Sequence, residues 1–423
     1  MSRTAGALFA ACAAPRLIAL AVTRQPEPNF YWRIADSLLT THRFALDGAP
    51  AGAYEPLYPL FLAAARAVTA DRFALVMLIQ ALVASAAGVL LFHLTGRATG
   101  SRRAAVAATL FYAVYPYYVR QSVAPIEVTL SVSLLVAAAW QYGRMDRLPA
   151  AALLGLCMGL LLLLRVMFAP VGMALLLILA LGGQWRHAVV VAAATAAVVA
   201  PWAALSRAHD RAIVPSRAGE NLYVSVCDPG AHALPKYDVD LVVPQAYAAV
   251  DADGIVARLP PAAAERAVNT ALLDRAFDCI RERPLETVRL RLRNLLYVFS
   301  PELLPAHARL PRPRAIVTDG RLSFTGVHDR PFVERASHFT AHLVITALAV
   351  VGLWRRRRHW REDALLLVML ANTAIVYAVF FPTTRLVVPT AFVLMFYAGS
   401  AVGRKDGGAS IFRGSSGAAP RRR

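Results

Sequence analysis

Cysteine is scarce in this chain: four residues in 423, at positions 12, 157, 227 and 279. None of the separations is short enough for a structural zinc site or a Cys-x-x-Cys redox pair. Charge is scarce too, at 17% of residues, against about a quarter in soluble domains. Acids are the rarer sign, 26 against 45 basic residues. Ten-residue segments alternating apolar and polar are missing, which excludes an outer-membrane barrel. No internal repeat is present. His338 and His342 share a helix face at i, i+4, but no Glu stands between them where a zinc protease places its base. A divalent metal stays open although ligand spacing does not support one, and no other cofactor is implied.

What fills the chain instead is apolar: 58% hydrophobic residues and a mean hydropathy of +0.50. Runs such as Phe73–Leu94, Ala150–Leu164 and Leu365–Phe381 approach or reach the length that crosses a hydrocarbon core of about 30 Å. They recur along the sequence, so one cleaved leader does not explain them. Ten crossings are expected, near 5–23, 73–95, 104–119, 126–142, 150–164, 168–183, 187–205, 338–354, 364–381 and 386–402. With both termini cytoplasmic, the basic stretches Gly96–Arg103, Gly143–Arg147, Gln184–Arg186 and Trp354–Arg361 all fall inside. The formal charge of +19 is then an anchor to membrane lipids, not a nucleic-acid surface.

The expected fold is an all-α polytopic membrane protein. Residues 1–205 form an N-terminal transmembrane region with a first external loop at 24–72 carrying interfacial helices. Residues 206–337 form a mostly helical periplasmic module, 338–402 the last three crossings, and 403–423 a basic, disordered cytoplasmic tail. Within the module, 261–280 and 284–298 read as helices, while the proline-rich 304–330 reads as extended loop. Cys227 and Cys279 share that module, where a bridge is open to them. Arg16 interrupts the first crossing beside Pro15, so it snorkels, faces the bundle interior, or marks a true start upstream of Met1.

The first external loop gathers Glu27, Asp36, Asp47 and Glu55 among aromatics and prolines. Tyr31, Ile34, Ala35, Leu38 and Leu39 recur at helical spacing, which suits a short helix lying on the membrane surface. Glu27 precedes its N-terminus, where the helix dipole stabilises an anion. Pro56-Leu-Tyr-Pro59 opens a second such helix. The threading puts Arg120, Arg165 and Arg385 outside, against the positive-inside trend, and Glu127 at the start of a crossing.

The order Glu27-x3-Tyr31-x3-Ala35, then Phe44, then Pro56-Leu-Tyr-Pro-Leu-Phe-Leu-Ala63, resembles the first periplasmic loop of GT-C membrane glycosyltransferases. The likeness is to the protein O-mannosyltransferase and aminoarabinose lipid A transferase type. Tyr115-Pro-Tyr-Tyr…Glu127, Gly155…Gly159 with Arg165, Ala200-Pro-Trp202, Arg283-Pro284 and Thr384-Arg…Pro389 follow in the family's order. Ala203-Ala-Leu-Ser-Arg207 departs from the family's Arg-Asn after Pro-Trp.

The resemblance implies an inverting transfer of sugar from a polyprenyl-phosphate donor to a hydroxyl on a lipid, protein or glycan acceptor, in a bacterial inner membrane. Glu27 would be the catalytic base and Asp36 the alternative. Tyr31, Glu55, Tyr58, Glu127, Arg165 and Arg385 would contact substrate, the arginines gripping phosphate. Two rival classes are a lipid-linked glycan ligase or polymerase, which would use His307 or His328 in the late loop, and a polytopic transporter or flippase.

Overall fold

The computed structural model describes residues 3–25, 28–208, 217–318 and 321–403. Glu27 and the tail from 404 onward lie outside the described residues.

Every one of the ten expected crossings is helical. The first half of the chain runs α1 (Arg3–Val22), α2 (Phe30–Thr41), α3 (Leu57–Val68), α4 (Phe73–Thr99), α5 (Arg102–Val114), α6 (Pro116–Gln121), α7 (Val128–Tyr142), α8 (Leu148–Leu164), α9 (Ala169–Leu181) and α10 (Trp185–Ala208). A two-residue ribbon, β1 (Ala45–Leu46) with β2 (Ala49–Pro50), lies between α2 and α3. The module follows with α11 (Ala218–Val226), α12 (Gly230–Ala233), α13 (Val243–Ala249), α14 (Ala252–Arg258), α15 (Pro261–Glu282), α16 (Pro284–Leu296), β3 (His307–Thr318) and β4 (Arg321–Asp329). The chain closes with α17 (Phe332–Arg356), α18 (Ala364–Val379), α19 (Thr384–Val387) and α20 (Ala391–Val402).

Among the described residues, five helices are long and apolar enough to cross a bilayer: Arg3–Val22, Phe73–Thr99, Trp185–Arg207, Phe332–His359 and Thr384–Val402. The 27-residue α4 extends about 40 Å at 1.5 Å per residue. It stops at Gly100, whose φ of +67° suits a residue without a Cβ and whose N–H closes on the Gly96 carbonyl. Shorter apolar helices such as α7 and α8 complete the bundle. Helices α8 and α10 approach closely because Gly155 and Gly159 face α10: a Cβ on Gly159 would stand 2.6 Å from that of Val198.

Arg16 faces the interior and is fully buried. Its guanidinium lies over the Tyr112 ring and donates to the carbonyls of Cys12, Tyr112 and Ala113, so it answers open carbonyls at the end of α5.

The module has its own core, in which Tyr223, Val224, Leu241, Ala246, Leu272 and Ala276 pack together. Cys227 and Cys279 are joined as a disulfide across it, between the end of α11 and α15. The 304–330 segment differs from expectation, because much of it is a β3–β4 antiparallel ribbon. Prolines suggested a loop, yet Pro311 and Pro313 sit where the register shifts between Arg309 and Arg314, a place that needs no ladder donors. Arg291 of α16 ties the module to the bundle: its guanidinium donates to the carbonyls of Ala378, Val379 and Phe380 at the end of α18, and to Ser225.

Candidate active site

The site lies where the ends of α7, α8 and α18–α19 meet the loop carrying α2 and α3. Helix α2 starts at Asn29, whose side chain accepts from the Trp32 N–H at 3.0 Å. The same side chain donates to the Pro125 carbonyl at 2.6 Å, fastening the loop to the turn before Glu127. Tyr58 on α3 donates to Gln80 on α4, and Gln80 in turn donates to the carbonyls of Gln121, Ser122 and Ala124. Asn29 and Gln80 therefore shape the segment that delivers Glu127. Neither was singled out in the sequence, although Gln80 is a lone amide inside the Phe73–Leu94 apolar run, a position that calls for buried partners.

Glu127 is buried to 1% exposure. Its carboxylate meets Arg165 Nη2 at 2.5 Å, and Arg385 through Nε and Nη2 at 2.8–3.1 Å. Both oxygens are thus engaged, one carboxylate holding two cations. A single buried carboxylate would be costly; two guanidiniums in direct contact offset that cost. The arginine side chains keep 21% and 31% exposure, which leaves donors free at the surface. Arg165 reaches this point because α8 breaks there into extended backbone.

Tyr31 and Glu55 complete the cluster. The Tyr31 hydroxyl accepts from Arg385 Nη2 at 3.4 Å, and its ring packs edge-on against Tyr58 at 5.0 Å. Burial pushes the Tyr31 hydroxyl pKa up, so it stays protonated and neutral. Glu55 accepts from the Val166 N–H at 3.4 Å. Burial raises its pKa too, with Arg165 opposing. Such a carboxyl takes a proton more readily than an exposed one.

The structure thus brings Tyr31, Glu55, Tyr58, Glu127, Arg165 and Arg385 together. Asp36 stands apart: at 58% exposure it pairs with Arg66 at 2.9 Å, which also holds Asp71 at 2.6 Å. Arg66 is buried on α3 and donates to the Trp32 carbonyl, so Asp36 belongs to the clamp between α2 and α3. His307 is also engaged, stacked on Tyr237 and 2.6 Å from Asp329; the side chain of His328 lies outside the described residues. Among the described residues no three His, Cys, Asp or Glu side chains are placed to hold a metal ion. His338 and His342 stack on each other, and His342 Nδ1 shares a 2.8 Å hydrogen bond with Tyr115.

No protein-family profile matches the chain, and no curated protein matches it in sequence. Its fold does match solved structures. One is the oligosaccharyltransferase AglB of Archaeoglobus fulgidus, with an inhibitory peptide and a dolichol-phosphate: TM-score 0.51, 16% identity, 94% of this chain and 50% of that one. The apo form of the Archaeoglobus fulgidus oligosaccharyltransferase gives 0.52 at 14% identity, covering 95% and 50%. ArnT from Cupriavidus metallidurans bound to undecaprenyl phosphate covers 95% and 78%, at 12% identity and a TM-score of 0.43. The chain spans about half the length of the oligosaccharyltransferases. Its polytopic, helical fold is similar to that of the oligosaccharyltransferases.

Proposed function

We propose that this protein transfers a glycosyl unit from a polyprenyl-phosphate donor to a hydroxyl acceptor (lipid, protein or glycan), at the periplasmic face of a bacterial inner membrane. The observation that carries the reading is Glu127 holding Arg165 and Arg385 side by side, with guanidinium donors left open. Such a pair suits a phosphate, whose oxygens accept forked N–H donors. AglB, solved with a dolichol-phosphate, supports a polyprenyl carrier.

In the reaction, a carboxylate takes the acceptor's proton as its oxygen forms a bond to the anomeric carbon. The bond from that carbon to the phosphate oxygen breaks with inversion. The leaving polyprenyl phosphate gains negative charge, which Arg165 and Arg385 stabilise. Glu127, saturated by its two arginines, acts as a positioning residue. Glu27, four residues before Tyr31, remains the favoured base; Glu55 replaces Asp36 as the alternative, because its carboxyl lies in the cluster.

The test measures transfer of labelled sugar from polyprenyl phosphate in membrane vesicles. Arg385→Ala is expected to lose about 10²–10³-fold. The base is whichever of Glu27→Gln and Glu55→Gln loses about 10²–10⁴-fold. Unchanged transfer in Arg385→Ala, or no transfer by the wild type to any fractionated acceptor, would overturn the reading.

A further inference from the structure

Helix α16 carries an apolar stripe that the protein leaves uncovered. Leu285, Val288, Leu292, Leu295 and Leu296 are all exposed, Leu285 and Leu296 to 85% and 80%, and Phe299 just beyond the helix continues the row. At 3.6 residues per turn these positions fall within an arc of about 100°. The opposite face is spoken for. Leu290 and Asn294 are buried, Asn294 donates to the Phe380 carbonyl, and Arg291 grips the end of α18.

The surroundings identify what covers the stripe. Helix α18, against which α16 packs, itself exposes Ile375 and Val379 on its final turns. Helix α18 is one of the shorter apolar helices of the bundle, so its exposed last turns carry the uncovered apolar surface up to the level at which α16 is attached. Phe332 and Val333, in the first turn of the spanning α17, are exposed to 76% and 75%. Charge agrees: Arg289 stands exposed beside the stripe, whereas Glu286, the only acid of α16, faces Arg283 and His232 instead. Apolar residues on one side and an exposed arginine on the border are the composition of a helix lying in the headgroup boundary of a bilayer.

We infer that α16 is an in-plane membrane helix, seated in the leaflet on the module's side, with Leu285, Val288, Leu292 and Leu296 among acyl chains and Arg289 at the phosphates. The module is then held by the bilayer as well as by Arg291. Val298, just past α16, packs with Val387, two residues from Arg385, so this seating also fixes the height of the Arg385 turn. The inference rests on exposed faces and does not depend on the transferase reading.

The test uses the full-length protein, with Cys12 and Cys157 replaced, in nanodiscs of phosphatidylethanolamine and phosphatidylglycerol. A nitroxide is attached at Leu292→Cys, at Leu296→Cys, or at Val256→Cys, an exposed position on α14 of the module. Collision rates are measured with oxygen, which concentrates in lipid, and with a water-soluble nickel chelate. Labels at 292 and 296 are expected to favour oxygen over nickel several-fold more than the label at 256. The inference fails if all three labels give the same ratio, which would leave the stripe in water. It fails equally if 292 and 296 exclude both reagents, which would mean that a second copy or another protein covers the stripe.

Discussion

Glu127→Gln keeps the side chain's volume and removes its charge, so it isolates the electrostatics of the cluster. The two guanidiniums contact the carboxylate at 2.5 and 2.8 Å. With charge centres roughly 4 Å apart and an effective dielectric near 20, each pair contributes about 4 kcal/mol, about 8 kcal/mol for the two. Dehydrating the carboxylate costs several kcal/mol, a penalty the amide does not incur. The difference leaves a loss of about 3 kcal/mol, in the range measured when one partner of a buried pair is removed. Equilibrium unfolding in mixed micelles reads this directly. The sharper measurement is a cycle with Arg385→Gln. In the Glu127→Gln background one unpaired cation disappears, so the second substitution should restore about 1–2 kcal/mol. If it instead adds its full single-variant cost, or if Glu127→Gln unfolds like the wild type, the reasoning is refuted.

Other expectations concern neighbouring residues. Asp36→Asn leaves Arg66 its contact with Asp71, so it should cost no more than about 1 kcal/mol and preserve transfer; abolished transfer would return Asp36 to the site. Glu55 has a folded-state pKa above its ordinary value, chiefly through burial. Its contribution to stability is therefore present below the ordinary carboxylate range and is lost as pH rises through the folded pKa. Glu55→Gln should flatten that part of the stability–pH profile, and an unchanged profile would assign the pH dependence to another group. The disulfide closes a separation of 52 residues, worth about 4 kcal/mol on the chain-entropy model. Replacing both cysteines with Ser should expose the module to limited proteolysis while the bundle stays resistant.

The bundle was legible in the sequence because apolar runs of membrane length have few other uses; α15 followed from helical periodicity and α16 from Pro284, which ends one helix and starts the next. The ribbon at 307–329 was hidden by its prolines, although Asp319-Gly320 between two runs rich in branched residues is a hairpin signal. Arg165 and Arg385 stood out because both fell at helix ends on the side where positive charge is uncommon. Their shared partner could not be read that way, since Glu127 lies 258 positions before Arg385 and only the tertiary fold joins them. Asp36 looked like a second base from its place beside aromatics; its neutralisation depended on Arg66, thirty residues on, turning inward from α3.

The separation between Glu127 and Arg385 has a consequence for how the molecule is made. Arg165 is synthesised 38 residues after Glu127, soon enough to pair with it while the early helices are assembling. Arg385 follows only after the entire module and α17 and α18, and its turn is then fixed by reciprocal hydrogen bonds between Thr384 and Leu304. A nascent chain therefore carries an incomplete cluster, Glu127 paired with Arg165 alone, until its last helices insert. Truncation just before residue 385 should therefore leave Arg165 as the only arginine on Glu127, with the last turn of the cluster still to be supplied.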